Sequence, residues 1–158
     1  SIPMIASGGY GDGRGLVAAI ALGADGALLG TRFLASDEAP LHDNFKQAIV
    51  DSDGHDTVLT EVPDLAAGVV WPGAMSRAKR NRFIDRWIGH EWDLRRDRTE
   101  AFARLQSARR DGNIDEASLS YGQDAGLIHE ILPIGEIVRR IAEEAESILT
   151  AKLPPLVK

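Results

Sequence analysis

The sequence predicts an α/β fold, and three observations predict it. A short apolar segment, residues 2–7, runs into a loop with five glycines between positions 8 and 15. A helical apolar pattern then starts at Asp12, and a second short apolar segment follows at 27–30. Strand, helix of about ten residues and strand within about 30 residues is a βαβ unit with a right-handed crossover.

The elements follow in order. Residues 2–7 are apolar on both faces, as in parallel strands covered by helices on each side. Leu16, Val17, Ile20 and Ala21 share one helical face, and Gly23 suits the residue just past the helix end. After "GTRFLASDEAP" a second helix is expected near 43–50, then a polar loop "DSDGHD". "TVLTEV" (57–62) alternates like an exposed strand or extended arm, which Pro63 stops. "WPGAMS" (71–76) has turn chemistry. Asn81 is placed to cap a helix carrying Phe83, Ile84, Trp87 and Ile88. One charged helix is expected from about 91 to 110, ended by "DGN". "SYGQDAGLI" (120–128) is a glycine-bearing loop. Pro133 fits position N1 of a last helix with Ile134, Ile137, Val138, Ile141, Ala145 and Ile148 as its apolar stripe, followed by a tail, "KLPPLVK".

Length and charge bound the function. With 158 residues and 44% hydrophobic content the chain can build a real core. A formal net charge of −6 argues against wholesale nucleic-acid binding. Cysteine is absent, so disulfides, thiolate nucleophiles and zinc–thiolate sites are excluded, and a cytoplasmic location is expected. No apolar run reaches the roughly 18 residues of a membrane span. The chain does not begin with Met and opens on what reads as a buried strand, so further sequence is expected upstream.

The glycines carry the functional argument. Glycine lets backbone approach a ligand closely and adopt φ > 0, and the inward-pointing N–H groups of such a turn, with the positive end of the following helix, suit a phosphate. Ser7-Gly8-Gly9 ends the first strand and Gly30-Thr31 ends the second, so both present backbone at one sheet edge. Paired phosphate loops after the last two strands recur in (β/α)8 barrels. The expected fold is therefore the C-terminal part of a TIM barrel with a small mainly helical domain. The expected division is residues 1–62 for the last barrel units, 63–119 for the helical insert, and 120–158 for the glycine-bearing loop and C-terminal helix. A Rossmann fingerprint is the rival, since Gly13-Arg14-Gly15-Leu16-Val17-Ala18 matches G-x-G-x-x-A. It begins too far after the strand, and no acidic residue ends the second strand.

Other constellations read as ordinary structure. His42, His55, His90 and His129 show no metal-binding spacing, and His42 suits a cap or surface role. Arg77, Lys79, Arg80, Arg82 and Arg86 read as a solvated helix face with local salt bridges. Trp71, Trp87 and Trp92 read as core or interdomain packing.

"MIASGGYGDGRGLVAAIALGADGALLGTRFLAS" (4–36) resembles the C-terminal barrel segment of the nitronate monooxygenases, formerly 2-nitropropane dioxygenases. The similarity continues in order through "EAPLHDNFKQAI", "DTVLTEV", "AKRNRF" and "YGQDAGLI". The flavin-type enoyl-acyl-carrier-protein reductases share similar pieces, while "WPGAMSRAKRNRFIDRWIG" is more like the monooxygenase branch. The resemblance implies a TIM barrel binding FMN, with the phosphate on backbone N–H groups of Gly8, Gly9, Gly30 and Thr31, Ser7 beside them, and Gln123 returning to the barrel mouth. It implies a monooxygenase that oxidises alkyl nitronates to a carbonyl compound and nitrite, with a histidine base on an earlier strand. The alternatives are an enoyl reductase or other NAD(P)H-dependent reductase, and a non-catalytic phosphate-binding half-barrel. Expected partners are a small-molecule substrate, the remainder of the barrel and possible copies of the chain, with no nucleic acid and no membrane. Tyr121 stands where the family usually has alanine.

Overall fold

The computed structural model describes residues 2–156. Ser1 and the last two residues of the expected tail, Val157 and Lys158, lie outside the described residues. Strands β1 (Ile5–Ser7) and β2 (Gly26–Leu28) pair in parallel, Ile5 opposite Gly26 and Ser7 opposite Leu28. Helix α1 (Gly13–Ala21) connects them, completing the expected βαβ unit. Its end comes at Leu22, followed by Gly23 at φ +98°, a left-handed position that favours glycine. Both strands are shorter than the apolar runs that contain them. They are also not covered on both faces, for Ile5 and Leu28 are exposed.

Helix α2 (Thr31–Leu34) begins directly after the β2 tip, and α3 (Asp43–Val50) follows with the His42 ring as its cap, Asn44 N–H donating to Nδ1 at 3.2 Å. Strand β3 (Thr57–Thr60) is not an extended arm. It pairs antiparallel with β4 (Ser76–Lys79), a strand the turn chemistry of "WPGAMS" concealed. Helix α4 (Val62–Ala67) lies between them, and Pro63 sits in its first turn, where a missing N–H costs nothing. Pairing thus joins residues 57–60 to the elements that follow them, and the expected division at 62/63 falls inside α4.

Asn81 caps α5 (Arg82–Trp87) as expected, its Oδ1 accepting from Ile84 N–H at 3.1 Å. The long charged helix is broken at Asp97 into α6 (Glu91–Arg96) and α7 (Arg98–Arg110). Leu94, Ala101 and Leu105, at spacings of seven and four, lie on one helical side, and each is buried in the same core across the break. The return segment forms one 3-10 turn at Gln123–Leu127, and α8 (Ile134–Ser147) ends the fold before two short turns at Ile148–Lys152 and Pro154–Leu156. Pro133 is the N-cap of α8 rather than N1, and the Glu38 carboxylate accepts the Ile134 N–H at 2.9 and 3.1 Å in place of a local cap.

Two cores result. One gathers Ala35, Phe45, Ile49, Leu119, Tyr121 and Ile128 between α3 and the return segment. The other gathers Val62, Leu65, Phe83, Ile84, Leu94 and Leu105 among α4 to α7. Of the tryptophans only Trp87 packs on a core, while Trp71 and Trp92 are exposed, a correction to the packing expected for all three.

Candidate functional site

The parallel register decides where the glycines lie. Because Ser7 is opposite Leu28, Gly8-Gly9 and Leu29-Gly30 both leave the carboxyl ends of neighbouring strands at one edge. The Ser7 hydroxyl donates to Leu28 O at 3.5 Å, across the two tips. Gly8 and Gly9 have φ of +98° and +81°, so the first tip turns in a conformation that L side chains rarely adopt. A Cβ on Gly8, Gly9 or Gly30 would meet nothing within 4 Å, so the space in front of both tips is open.

The helix that follows the first tip offers less than the sequence suggested. Asp12 Oδ1 accepts from the N–H groups of Arg14 and Gly15 at 3.0 and 3.2 Å, and Glu144 Oε2 accepts from Gly13 N–H at 2.8 Å. Burial raises the Asp12 carboxyl, but hydrogen bonds from Arg14 and from the Gly15 amide outweigh it and hold it below its ordinary value. The N-terminus of α1 is therefore filled by two carboxylates, and an anion at the glycine loop must rely on loop amides alone. The same contacts dispose of the dinucleotide fingerprint. A Cβ on Gly13 would fall 2.7 Å from Ala145 N and Ile141 O, and one on Gly15 would fall 2.8 Å from the Tyr10 ring. Those glycines serve close packing against α8 and Tyr10.

Thr31 is buried, and its hydroxyl is engaged. It donates to Asp124 Oδ1 at 2.9 Å and accepts from Gly122 N–H at 2.9 Å. The return loop is thus tied to the β2 tip, and Gln123, exposed between those two partners, is brought to the same edge as Gly30. Of the six candidate residues, Ser7, Gly8, Gly9, Gly30 and Gln123 are exposed, and Thr31 is a structural joint through its side chain.

Sequence reasoning missed three groups that build this region. Asp124 completes the joint with Thr31. Arg32, only 7% exposed, donates to Ala35 O and Glu130 O, both at 3.1 Å, holding the chain on either side of the Ser36–Leu132 bridge. Burial pushes its guanidinium below the ordinary value. Asp56 accepts from the Tyr121 phenol at 3.2 Å and from Ser52 Oγ at 2.5 Å, and pairs with Lys79. An arginine directly after a glycine-threonine tip was the one readable signal. Asp56 and Asp124 lie in loops whose partners are distant in sequence.

Tyr121 consequently points into the first core and not into open space. All four histidines are exposed. Members of the basic cluster are individually paired: Arg80 with Asp85 at 2.8 Å, Arg86 with Glu116 at 3.0 Å, and Arg82 with Asp115 at 3.4 Å. Lys79 and Arg77 belong to β4 and not to a helix. Among the described residues no helix is long and apolar enough to cross a membrane.

Comparison with known proteins locates this arrangement. The solved structure of FabK from Thermotoga maritima overlays with a TM-score of 0.81 at 35% identity, covering 99% of this chain and 48% of that one. Nitroalkane oxidase from Streptomyces ansochromogenes overlays with a TM-score of 0.77 at 29% identity, covering 96% and 42%. A probable nitronate monooxygenase of Staphylococcus aureus (strain Newman) is 39% identical over 94 residues, 60% of this chain and 24% of that protein. The matched stretch is thus about a quarter of the curated relative's length, and the chain covers less than half of either solved structure. The family described as nitronate monooxygenase matches residues 1–144, nearly the whole chain, and with the relatives above this shows that the chain belongs to the nitronate monooxygenase family.

Proposed function

We propose that this chain anchors the phosphate of FMN in a flavin-dependent oxidoreductase, as the C-terminal part of a (β/α)8 barrel with a small helical domain. The observation that carries this reading is the in-register pairing of two glycine-tipped parallel strands. Backbone N–H groups of Gly8 and Gly9 on one tip, and of Gly30 and Thr31 on the next, are assigned as donors to the phosphate oxygens, with Ser7 beside them. Neighbouring strands lie about 4.8 Å apart, so donors on both tips reach one phosphoryl group. The open space before Gly8, Gly9 and Gly30 fits such a group. Gln123 is assigned to the same cofactor. When bound, the flavin supplies electron transfer between an organic substrate and dioxygen or a nicotinamide.

This chain's part is to bind and orient. No catalytic side chain is assigned to it, and the base is placed on an earlier strand. The further strands of the barrel are assigned to the open face where Ile5 and Leu28 are exposed.

For the whole protein the proposed reaction is oxidation of alkyl nitronates with dioxygen to a carbonyl compound and nitrite, in the cytoplasm. Family membership supports it. A second reading, NAD(P)H-dependent reduction of an enoyl thioester, is favoured by the overlay on FabK. Purified full-length protein assayed for nitrite release from nitronates, and separately for NAD(P)H consumption with enoyl thioesters, separates the two. The anchoring assignment predicts that FMN binds far more tightly than riboflavin, which lacks the phosphate. Equal affinities would remove the phosphate site, and a protein that binds inorganic phosphate but no flavin would leave only a non-catalytic phosphate-binding unit.

A further inference from the structure

We propose that Asp56 is a positioning residue for the return loop that carries Gln123, acting through Tyr121; the proposal rests on the flavin reading above. The loop is held from two sides. On one side Thr31 bonds Gly122 and Asp124. On the other, Tyr121, only 4% exposed, reaches Asp56 with its phenol. Both oxygens of Asp56 are engaged: Oδ1 by Ser52, and Oδ2 by Tyr121 and Lys79. One carboxylate thus ties together the 51–56 loop, the last residue of β4 and the return segment.

Two glycines close the same contact. A Cβ on Gly54, at φ +82°, would lie 2.2 Å from the Gln123 carbonyl oxygen, and one on Gly126 would lie 2.5 Å from the Asp53 carbonyl oxygen. The Gly54 N–H donates to Ser52 Oγ at 3.1 Å, which fixes the hydroxyl that in turn holds Asp56. The backbone of Gln123 therefore rests directly on the loop whose shape Asp56 sets. An ionised carboxylate accepts from Ser52, Tyr121 and Lys79 together, and its charge strengthens all three bonds, whereas an amide has one accepting oxygen and no charge. The tyrosine at 121 supplies both the core-filling ring and the hydroxyl that reads the carboxylate.

The test is FMN binding by full-length apoprotein, measured as quenching of flavin fluorescence, together with amide exchange. Tyr121→Phe keeps the ring in the core and removes one hydrogen bond to a charged group. It should weaken FMN binding about tenfold, the scale of one such bond. Asp56→Asn, which removes the charge all three donors meet, should weaken it at least as much, and the double variant by less than the product of the two losses, since both changes act on the Tyr121–Asp56 bond. Amide exchange should quicken at 122–126 and not in β1 or β2. Arg77→Gln, which breaks the Arg77–Thr57 bond elsewhere in the same sheet, should leave the affinity unchanged. Wild-type affinity in a folded Tyr121→Phe, or an equal loss in Arg77→Gln, overturns the positioning role while the flavin reading stands. A wild-type protein that binds no FMN overturns the flavin reading, and this proposal with it.

Discussion

The parallel pair leaves Ile5 and Leu28 56% and 62% exposed on one face and has none of its residues fully buried. The antiparallel pair, though Leu59 is 53% exposed on its outer face, buries Thr60 and Ala78 to 5% and 0% exposure on the inner one. The two sheets are similar in length, three and four residue pairs. They differ in what encloses them. Between β3 and the end of α7 the chain supplies four helices, and these surround Phe83, Ile84, Leu94 and Leu105 within one stretch of sequence. Between β1 and β2 it supplies only α1, with α8 laid on that helix from far along the chain. A parallel pair needs its crossover on one face and cover on the other. The helical unit closes on itself, while the βαβ unit keeps an apolar face and its strand tips open. The proposed cofactor site lies on the open unit, as sites on loops supported by a rigid scaffold do.

Ile84→Ala, in the closed unit, removes a fully buried side chain and should cost about 2–5 kcal/mol in urea unfolding. Gly13→Ala should cost about 1–3 kcal/mol, because its Cβ would meet the α8 backbone and helices α1 and α8 would have to part. Gly9→Ala should cost about 1 kcal/mol by backbone strain at φ +81°, and should weaken FMN binding more than it lowers stability. Leu28→Ser should change the stability of this 158-residue chain by less than about 0.5 kcal/mol. In a polypeptide whose sheet continues past β1 and β2 the same change should cost several-fold more. Equal small effects in both would count against the barrel.

Acid provides a further test at the boundary between the two units. Burial raises the Asp56 carboxyl, but hydrogen bonds from Lys79 and Ser52 outweigh it, and the net position is below the ordinary 3.8. A carboxyl lowered by folding contributes stability that is complete above the unfolded value and lost as pH falls through the folded one. Amide protection factors at 122–126 should therefore hold from neutral pH down to about 5. They should fall only below 3.8, and Asp56→Asn should abolish that dependence. Protection that is lost between pH 6 and 5 would mean that another group holds the loop.

Much of the fold was legible in local pattern. The βαβ unit, the Asn81 cap, the helix over residues 43–50 and the adjacency of Ser7-Gly8-Gly9 to Gly30-Thr31 follow from spacing and glycine placement, because each depends on neighbours a few residues away or on the fixed geometry of a parallel crossover. Strand β4 was not legible. "SRAK" has no strand alternation of its own, and its hydrogen bonds come from β3, nearly twenty residues earlier. The break at Asp97 left one local sign, an aspartate with Glu100 three residues on, as at a helix start; the spacing of Leu94, Ala101 and Leu105 suits an unbroken helix equally well and so could not reveal it.

Glycine and hydroxyl residues at two strand ends are a property of the chain alone, since backbone freedom and donor count are written residue by residue. The state of those donors belongs to the folded molecule. Asp12 and Glu144 fill the end of α1, Asp124 takes the Thr31 hydroxyl, and Asp56 draws Tyr121 inward. Three of these four contacts join residues between 65 and 131 positions apart. A hydrogen bond depends on distance and angle in space, so composition and spacing can name a donor, but only packing decides which acceptor it meets.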